Sequence, residues 1–413
     1  MRPRPVRTIA LAAALAPWLA PWLALTGCAA RAGGSASAAV VAAADPRLDS
    51  TRAAAQRLLD SLLAATGAPG ATLGLALPDG RVLALASGMS DTSTRRPMSP
   101  DDRLLQGSVG KTYVAAVAMQ LVGEGALDLD AKVSRYLGDL PWWSRVPNAA
   151  DVTVRQLMTH TSGIVRYEFN PVVAKQLRDE PMRAWTPAER LAVLLDQSAP
   201  FAAGQGWEYS DTNYILLGMI IERLTGMEYY DALRRRILVP LALRNTIPSD
   251  RPELPGVANG YAGPKNELGG YDASVVQRTE TAGGGAGGIS RLAVNPQFEW
   301  TGGGIASTSA DLARWGKLLY EGRAIDSALV RQMVAAAVPA RLGRDVKYGL
   351  GVIVRATALG PAWGHSGFFP SYATEMLYFP ATRVAVAVQV NRTDPYPRGL
   401  VPFLVEVARV AGR

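Results

Sequence analysis

Ser108 and Lys111 are the first residues in the chain from which chemistry can be read. They lie in Gln106-Gly107-Ser108-Val109-Gly110-Lys111-Thr112, which runs into the apolar stretch from Tyr113 to Val122. That stretch contains no proline or glycine, so it reads as a buried helix whose first turn holds Ser108. Residues three apart on a helix share a face, which sets Lys111 beside Ser108. A hydroxyl and an amine so placed can be a nucleophile and its base, and the N–H groups freed at a helix start can hold an oxyanion. The amine must then lose its proton near neutral pH, which burial and nearby positive charge favour. The same letters also describe a serine-capped helix with a surface lysine. A phosphate-cradling loop is excluded, because its first glycine would fall at Leu105.

Three further places could serve that pair. Tyr209-Ser210-Asp211 follows the turn from Gly204 to Glu208 and precedes an apolar helix expected from Tyr214 to Thr225. Ser210 or Asp211 could cap that helix. Tyr209 gains nothing from capping, and a phenol there suits proton sharing across a cleft, although packed tyrosines are common. His160, one of two histidines, sits in the turn Thr159-His160-Thr161-Ser162-Gly163. It is a possible base, but the setting suits a buried histidine bonded to backbone. Gly364-His365-Ser366-Gly367 lies between two β-rich runs, where glycine permits close approach and a strand edge can offer N–H groups to a ligand. Two distant histidines and a single cysteine make no zinc set, so no metal or other cofactor is expected. Neither Ser108 nor Ser366 stands in a Gly-x-Ser-x-Gly elbow.

These residues need elements to position them. A helix is expected from Pro46 to Ala65, then a hairpin of Gly70–Ala76 and Val82–Ala86 about Asp79-Gly80. Short helices are expected at Asp151–Met158, Thr186–Ser198 and Tyr229–Ile237. The stretch from Pro248 to Trp300, with its glycine run 283–288, reads as a long loop over one rim of the site. Thr308-Ser309-Ala310-Asp311 resembles a capping box for a helix from Ser309 to Leu319. Tyr348–Arg355, Tyr372–Phe379 and Val384–Val390 are β-rich, and Val401–Val410 reads as a closing helix. Strands at both ends with helices between them suggest one sheet built from the two termini around an inserted helical region.

Ser108-Val109-Gly110-Lys111, Tyr209-Ser210-Asp211 and His365-Ser366-Gly367 together resemble the three ordered motifs of the serine β-lactamase and penicillin-binding superfamily. The likeness is to its class C-like branch, which includes D-alanyl-D-alanine carboxypeptidases, D-aminopeptidases and esterases. Leu157 to Gly163 matches a further signature, and the resemblance runs from about Leu63 to Val410. It implies an α/β (α+β) fold, β-lactamase/transpeptidase-like, with an antiparallel sheet from both termini flanked by helices. It implies Ser108 as the acylated nucleophile, Lys111 as proton acceptor and Tyr209 as proton shuttle. The backbone N–H groups of Ser108 and Phe368 would form the oxyanion hole, and Asp211, His365, Ser366 and Gly367 would meet the substrate. His160 falls in the family's structural turn. Asp211 departs from the usual asparagine. A carboxylate cannot donate to a substrate carbonyl, and beside Lys111 it would hold the amine protonated, unless capping turns it away. The implied function is acyl-enzyme hydrolysis of cell-wall-type D-alanyl peptides, with carboxylic esters or D-aminoacyl amides as alternatives, or penicillin binding without turnover.

The chain opens with Arg2, Arg4 and Arg7, runs apolar from Ile9 to Leu25 and reaches Leu25-Thr26-Gly27-Cys28. This reads as a signal peptide over residues 1–27, and its end resembles a bacterial lipobox. The expectation is a lipoprotein anchored through lipidated Cys28, facing the periplasm or exterior, at the outer membrane where the cell has one. Residues 28–45, nearly all alanine, glycine, serine and valine, read as a tether. The catalytic body is expected over 46–413, as a sheet lobe (about 46–107 and 301–413) and a mainly helical lobe (about 108–300). The formal charge is +8, of which three units come from the leader arginines. The rest are dispersed among acidic residues, which argues against nucleic acid as a partner and is compatible with an anionic envelope polymer. The sequence sets no oligomeric state.

Overall fold

The computed structural model describes residues 45–261, 280–282, 289–292, 294–393 and 397–412. The leader, Cys28, the tether up to residue 44 and the glycine run 283–288 lie outside the described residues. Helix α1 (Pro46–Thr66) starts where Asp45 accepts hydrogen bonds from the backbone of Arg47 and Leu48. The hairpin follows as β1 (Gly70–Ala76) and β2 (Val82–Asp91), extended by the short β3 (Arg96–Pro97). The C-terminal part supplies β4 (Val338–Pro339), β5 (Val346–Tyr348), β6 (Ile353–Thr357), β7 (Gly360–Phe369), β8 (Tyr372–Phe379) and β9 (Val384–Val390). These nine strands form one antiparallel sheet in the order β4-β5-β6-β7-β8-β9-β1-β2-β3. The two ends of the chain meet at its centre, where Ala71 pairs with Val390 and Ala76 with Ala385.

Between these sheet segments lie α2 (Lys111–Gly123), α3 (Asp211–Thr225) and α4 (Ser309–Tyr320), and the chain closes on α5 (Leu400–Ala411). One sheet face packs against α1 and α5 in an aliphatic core that includes Leu59, Leu73, Leu377, Phe379, Val386 and Leu404. The other face carries α4 and the inserted helical region in a larger core. Burying one such side chain is worth roughly 1.5–3 kcal/mol. Helix α2 is buried on nearly all sides, which is why its sequence is apolar throughout rather than striped.

Several local expectations shift. Ser108 is not in the α-helix itself but on a 3-10 turn, Gly107–Gly110, that leads into it. The third motif lies inside β7 rather than between strands. The helix expected over 186–198 is confined to Pro187–Ala192, and the one from Tyr229 ends in a π turn over Arg234–Leu238. The rim stretch carries a small three-stranded sheet of Glu253–Pro255, Ile289–Arg291 and Glu280–Ala282. The capping box before α4 is half made: Thr308 accepts from the Asp311 backbone, while the Asp311 carboxylate accepts from Asn245 N.

Candidate active site

The nucleophile turn is wedged against β7 by two glycines. A Cβ on Gly107, whose φ is +53°, would sit 2.3 Å from the Phe368 carbonyl oxygen, and one on Gly367 would sit 1.8 Å from that of Gln106. Real side chains cannot come so close, so glycine is what lets the first and third motifs touch backbone to backbone. This contact brings the Ser108 turn and the Phe368 backbone to one place, the arrangement an oxyanion hole requires.

Ser108, Tyr209, His365, Ser366, Gly367 and Phe368 line one cavity of about 300 Å³, together with Arg166, Leu342, Ile353 and Arg355. Lys111 is fully buried behind Ser108 and donates to its Oγ at 3.0 Å. It also donates to Asp211 Oδ1 at 2.5 Å and to the carbonyl of Gly302. Burial alone would lower the pKa of this amine, but the Asp211 carboxylate and Tyr209 outweigh it and hold the pKa above the ordinary lysine value. Burial likewise works to raise the Asp211 pKa, and Lys111 and Arg166 overcome it, leaving a carboxylate below its usual range. Asp211 therefore does not turn away to cap α3. Its side chain, 15% exposed, faces the lysine, and Ser210 occupies the N-cap without a side-chain cap bond. The positive neighbour expected to free the amine is instead a negative one.

Tyr209 lies across from this pair. Its ring centre is 5.0 Å from Lys111 Nζ, and its hydroxyl lies near Ser108 and Lys111 without closing a normal hydrogen bond to either. Burial, opposed by Lys111 and reinforced by Asp211, holds this phenol above its ordinary pKa. His160 packs against the Tyr209 ring at 4.2 Å between centres. Its Nδ1 accepts from the Ser210 backbone N–H at 3.2 Å and meets Asn213 Nδ2 at 3.1 Å, and Ser162 Oγ donates to the Asn213 carbonyl oxygen at 2.6 Å. Burial and then Lys111 push its pKa well below that of a free histidine. His160 is a buried, neutral histidine bonded to backbone, as its turn setting suggested, and its ring packs behind the phenol.

His365 is also buried and neutral. Its Nδ1–H donates to the Ser366 carbonyl at 2.6 Å, so Nε2 accepts from the Tyr348 hydroxyl at 2.8 Å. Burial, with Lys111 next, pushes its pKa down to about 3. The ring therefore presents no charge to a substrate carboxylate. Ser366 Oγ donates to Glu375 Oε2 at 2.7 Å and accepts from Arg355 at 2.6 Å, and Arg355 pairs with Glu375 at 3.3 Å.

Sequence reasoning missed the cavity-lining Arg166 and Arg355, their partners Glu168 and Glu375, and the Gly302 carbonyl that grips Lys111. Arg166 and Glu168 follow closely on the Thr161–Gly163 turn, the one signal that could have drawn attention to them. Among the described residues, no group of three or more His, Cys, Asp or Glu side chains is placed to hold a metal ion.

Comparison with known proteins gives the same frame. The family model Beta-lactamase matches residues 55–408. A penicillin-binding protein of Bacillus subtilis (strain 168) is 26% identical over 320 residues, which covers 74% of this chain; the chain spans only 64% of that protein's length. Among solved structures, a D-stereospecific amidohydrolase from Streptomyces sp. superimposes with a TM-score of 0.71 at 27% identity, covering 86% of this chain and 97% of that one. The D-amino acid amidase of Ochrobactrum anthropi SV3 gives a TM-score of 0.70 at 26% identity, with 87% and 98% covered. The sheet built from both termini, the serine and lysine at the start of a buried helix and the match over most of the chain agree: this protein belongs to the beta-lactamase family.

Proposed function

We propose that Ser108 Oγ attacks the carbonyl of a small D-aminoacyl amide or peptide, with Lys111 and Tyr209 moving the proton from the attacking hydroxyl to the leaving amine. The backbone N–H groups of Ser108 and Phe368 would receive the oxyanion, and water would then hydrolyse the acyl-enzyme. The observation that carries the choice of substrate is the pairing of charge in the cavity. Lys111 meets Asp211, Arg166 meets Glu168 at 2.6 Å, Arg355 meets Glu375, and His365 is neutral. Among the described residues that line the cavity, every cation already has a carboxylate, so a substrate carboxylate must compete for each. This favours amide or ester groups over the terminal carboxylate of a D-alanyl-D-alanine peptide. The D-configuration is supported by the amidohydrolase and amidase named above. Neutral esters fit the same charge pattern and form a second reading.

The test compares kcat/KM on D-alanine amide, its L-enantiomer, a D-alanyl-D-alanine peptide, a short nitrophenyl ester and a chromogenic cephalosporin. The D-amide is expected to exceed both the L-amide and the dipeptide by about 10- to 200-fold, the range a pocket of this kind discriminates. The cephalosporin should be slowest, because Asp211 offers no amide donor for its acylamino carbonyl. Preference for the dipeptide would refute the charge argument.

A further inference from the structure

The lining of the Ser108 cavity is of two kinds. Arg166, Arg355, His365 and Ser366 are polar groups that already have partners within the protein. Ile353 of β6, Phe368 of β7 and Leu342 add apolar surface. Leu342 is unlike the other two in its setting. It stands at the tip of the β4–β5 hairpin, in Arg341-Leu342-Gly343-Arg344-Asp345, where its neighbours are charged residues and glycine.

The tip has a set geometry. Ala340 N–H donates to the Val346 carbonyl at 3.0 Å, Gly343 takes φ +140° beside the Val346 side chain and Asp345 takes φ +58°. Both dihedrals lie where an ordinary turn residue rarely goes, so the loop closes in one particular shape. In that shape Leu342 is 38% exposed, and of the six large hydrophobic side chains exposed among the described residues it is the one that lines this cavity. Phe169, 44% exposed, is a second of the six near the site. Its ring lies 4.2 Å from the guanidinium of Arg166, which lines the same cavity. An apolar group laid on such surface removes it from water, which is favourable in proportion to the area covered.

Resting on the amide reading above, we propose that Leu342 is a specificity-determining residue that packs on an apolar substituent beside the scissile amide. The substrate class is thereby narrowed to D-aminoacyl amides that carry a large apolar group, either as the side chain of the acyl residue or on the leaving amine. The cavity of about 300 Å³ has room for one such group. Its charged members are paired and so offer an apolar group no competing ligand.

The experiment measures kcat/KM on D-alanine amide, D-phenylalanine amide and D-alanine benzylamide for the full chain and for Leu342→Ala and Leu342→Met. The readout is the ratio of each benzyl-bearing substrate to D-alanine amide, in which changes common to all substrates cancel. In wild type at least one ratio should be about tenfold or more, within the range that hydrophobic pockets discriminate, and the arm that shows it tells which side of the amide Leu342 meets. Leu342→Ala should cut that ratio about five- to tenfold, whereas Leu342→Met, which restores apolar volume, should recover most of it. Both wild-type ratios near unity, or a ratio unmoved in Leu342→Ala, would overturn the proposal. The first of these needs no variant. A Leu342-dependent gain on the L-phenylalanine amide instead would refute the D-configuration argued above while supporting this inference. No turnover of any amide, with no phosphonate labelling of Ser108, would defeat the nucleophile reading itself, and this proposal with it.

Discussion

The two faces of the sheet are built to opposite specifications. The face under α1 and α5 is aliphatic, with Leu73, Val386 and Leu404 in one continuous core. The face towards the inserted region holds buried Lys111, His160, His365, Glu168 and Glu299. The first face gains free energy from apolar burial; the second costs it, because each buried ionisable group must be paired, neutral or protonated. Stability and chemistry are thus divided across the thickness of one sheet.

Substitutions on either side should expose this division. The largest effect expected is from Ser108→Ala on the site face: turnover and phosphonate labelling should fall by at least about ten-thousandfold, with the thermal midpoint within a few degrees of wild type. Labelling that persists in a folded Ser108→Ala protein would show that another residue is the nucleophile. Gly367→Ala comes next, since its Cβ has no room against Gln106. The first and third motifs must separate, and a misplacement of about 1 Å costs on the order of a hundredfold in kcat/KM. On the opposite face Leu404→Ala should cost about 2–5 kcal/mol of unfolding free energy, measured in denaturant, while kcat/KM of the folded fraction stays at the wild-type value. A parallel loss of kcat/KM would mean the faces are coupled.

The smallest effect separates the histidines from ordinary ones. A neutral buried histidine has its folded pKa below its unfolded value of 6.5, so its contribution to stability is whole above about pH 6.5 and is lost as pH falls towards the folded pKa, about 3 for His365. Each such group contributes a slope of about 1.4 kcal/mol per pH unit in that window. His365→Asn should flatten the loss of unfolding free energy between about pH 6 and pH 4 relative to wild type, and an equal slope would show that the ring is charged in the folded state. The same neutrality means that the ratio of kcat/KM for anionic and neutral substrates should stay constant above about pH 5.

Much of the frame was legible because it is local. The hairpin, the apolar helix behind Ser108 and the closing strands are written in period and turn residues, and Ser108 with Lys111 follows from helical spacing alone. The errors arose where distant segments meet. Asp211 reads equally as a cap and as a neighbour of Lys111, and only the fold, which brings together residues a hundred positions apart, decides for the lysine. Nothing near His365 in the chain announces Tyr348 and Lys111, whose company with burial keeps the ring neutral. Arg355 and Glu375 stand on strands on either side of β7, and only the sheet register makes them partners. Local pattern predicts elements; burial and charge depend on pairings it does not encode.

The pairing of β1 with β9 has a consequence for how the molecule comes into being. Ala71 meets Val390 across more than three-quarters of the chain, and closing so distant a contact is slow. During synthesis the hairpin emerges early but finds no inner partner until the last strand has left the ribosome. A chain stopped before Val384 keeps Ser108, Lys111 and His365 yet lacks the strand between β8 and β1, so the nucleophile has no completed sheet to lean on. Hydrolytic competence therefore waits for β9 to pair with β1, and until then the sheet behind the nucleophile is incomplete.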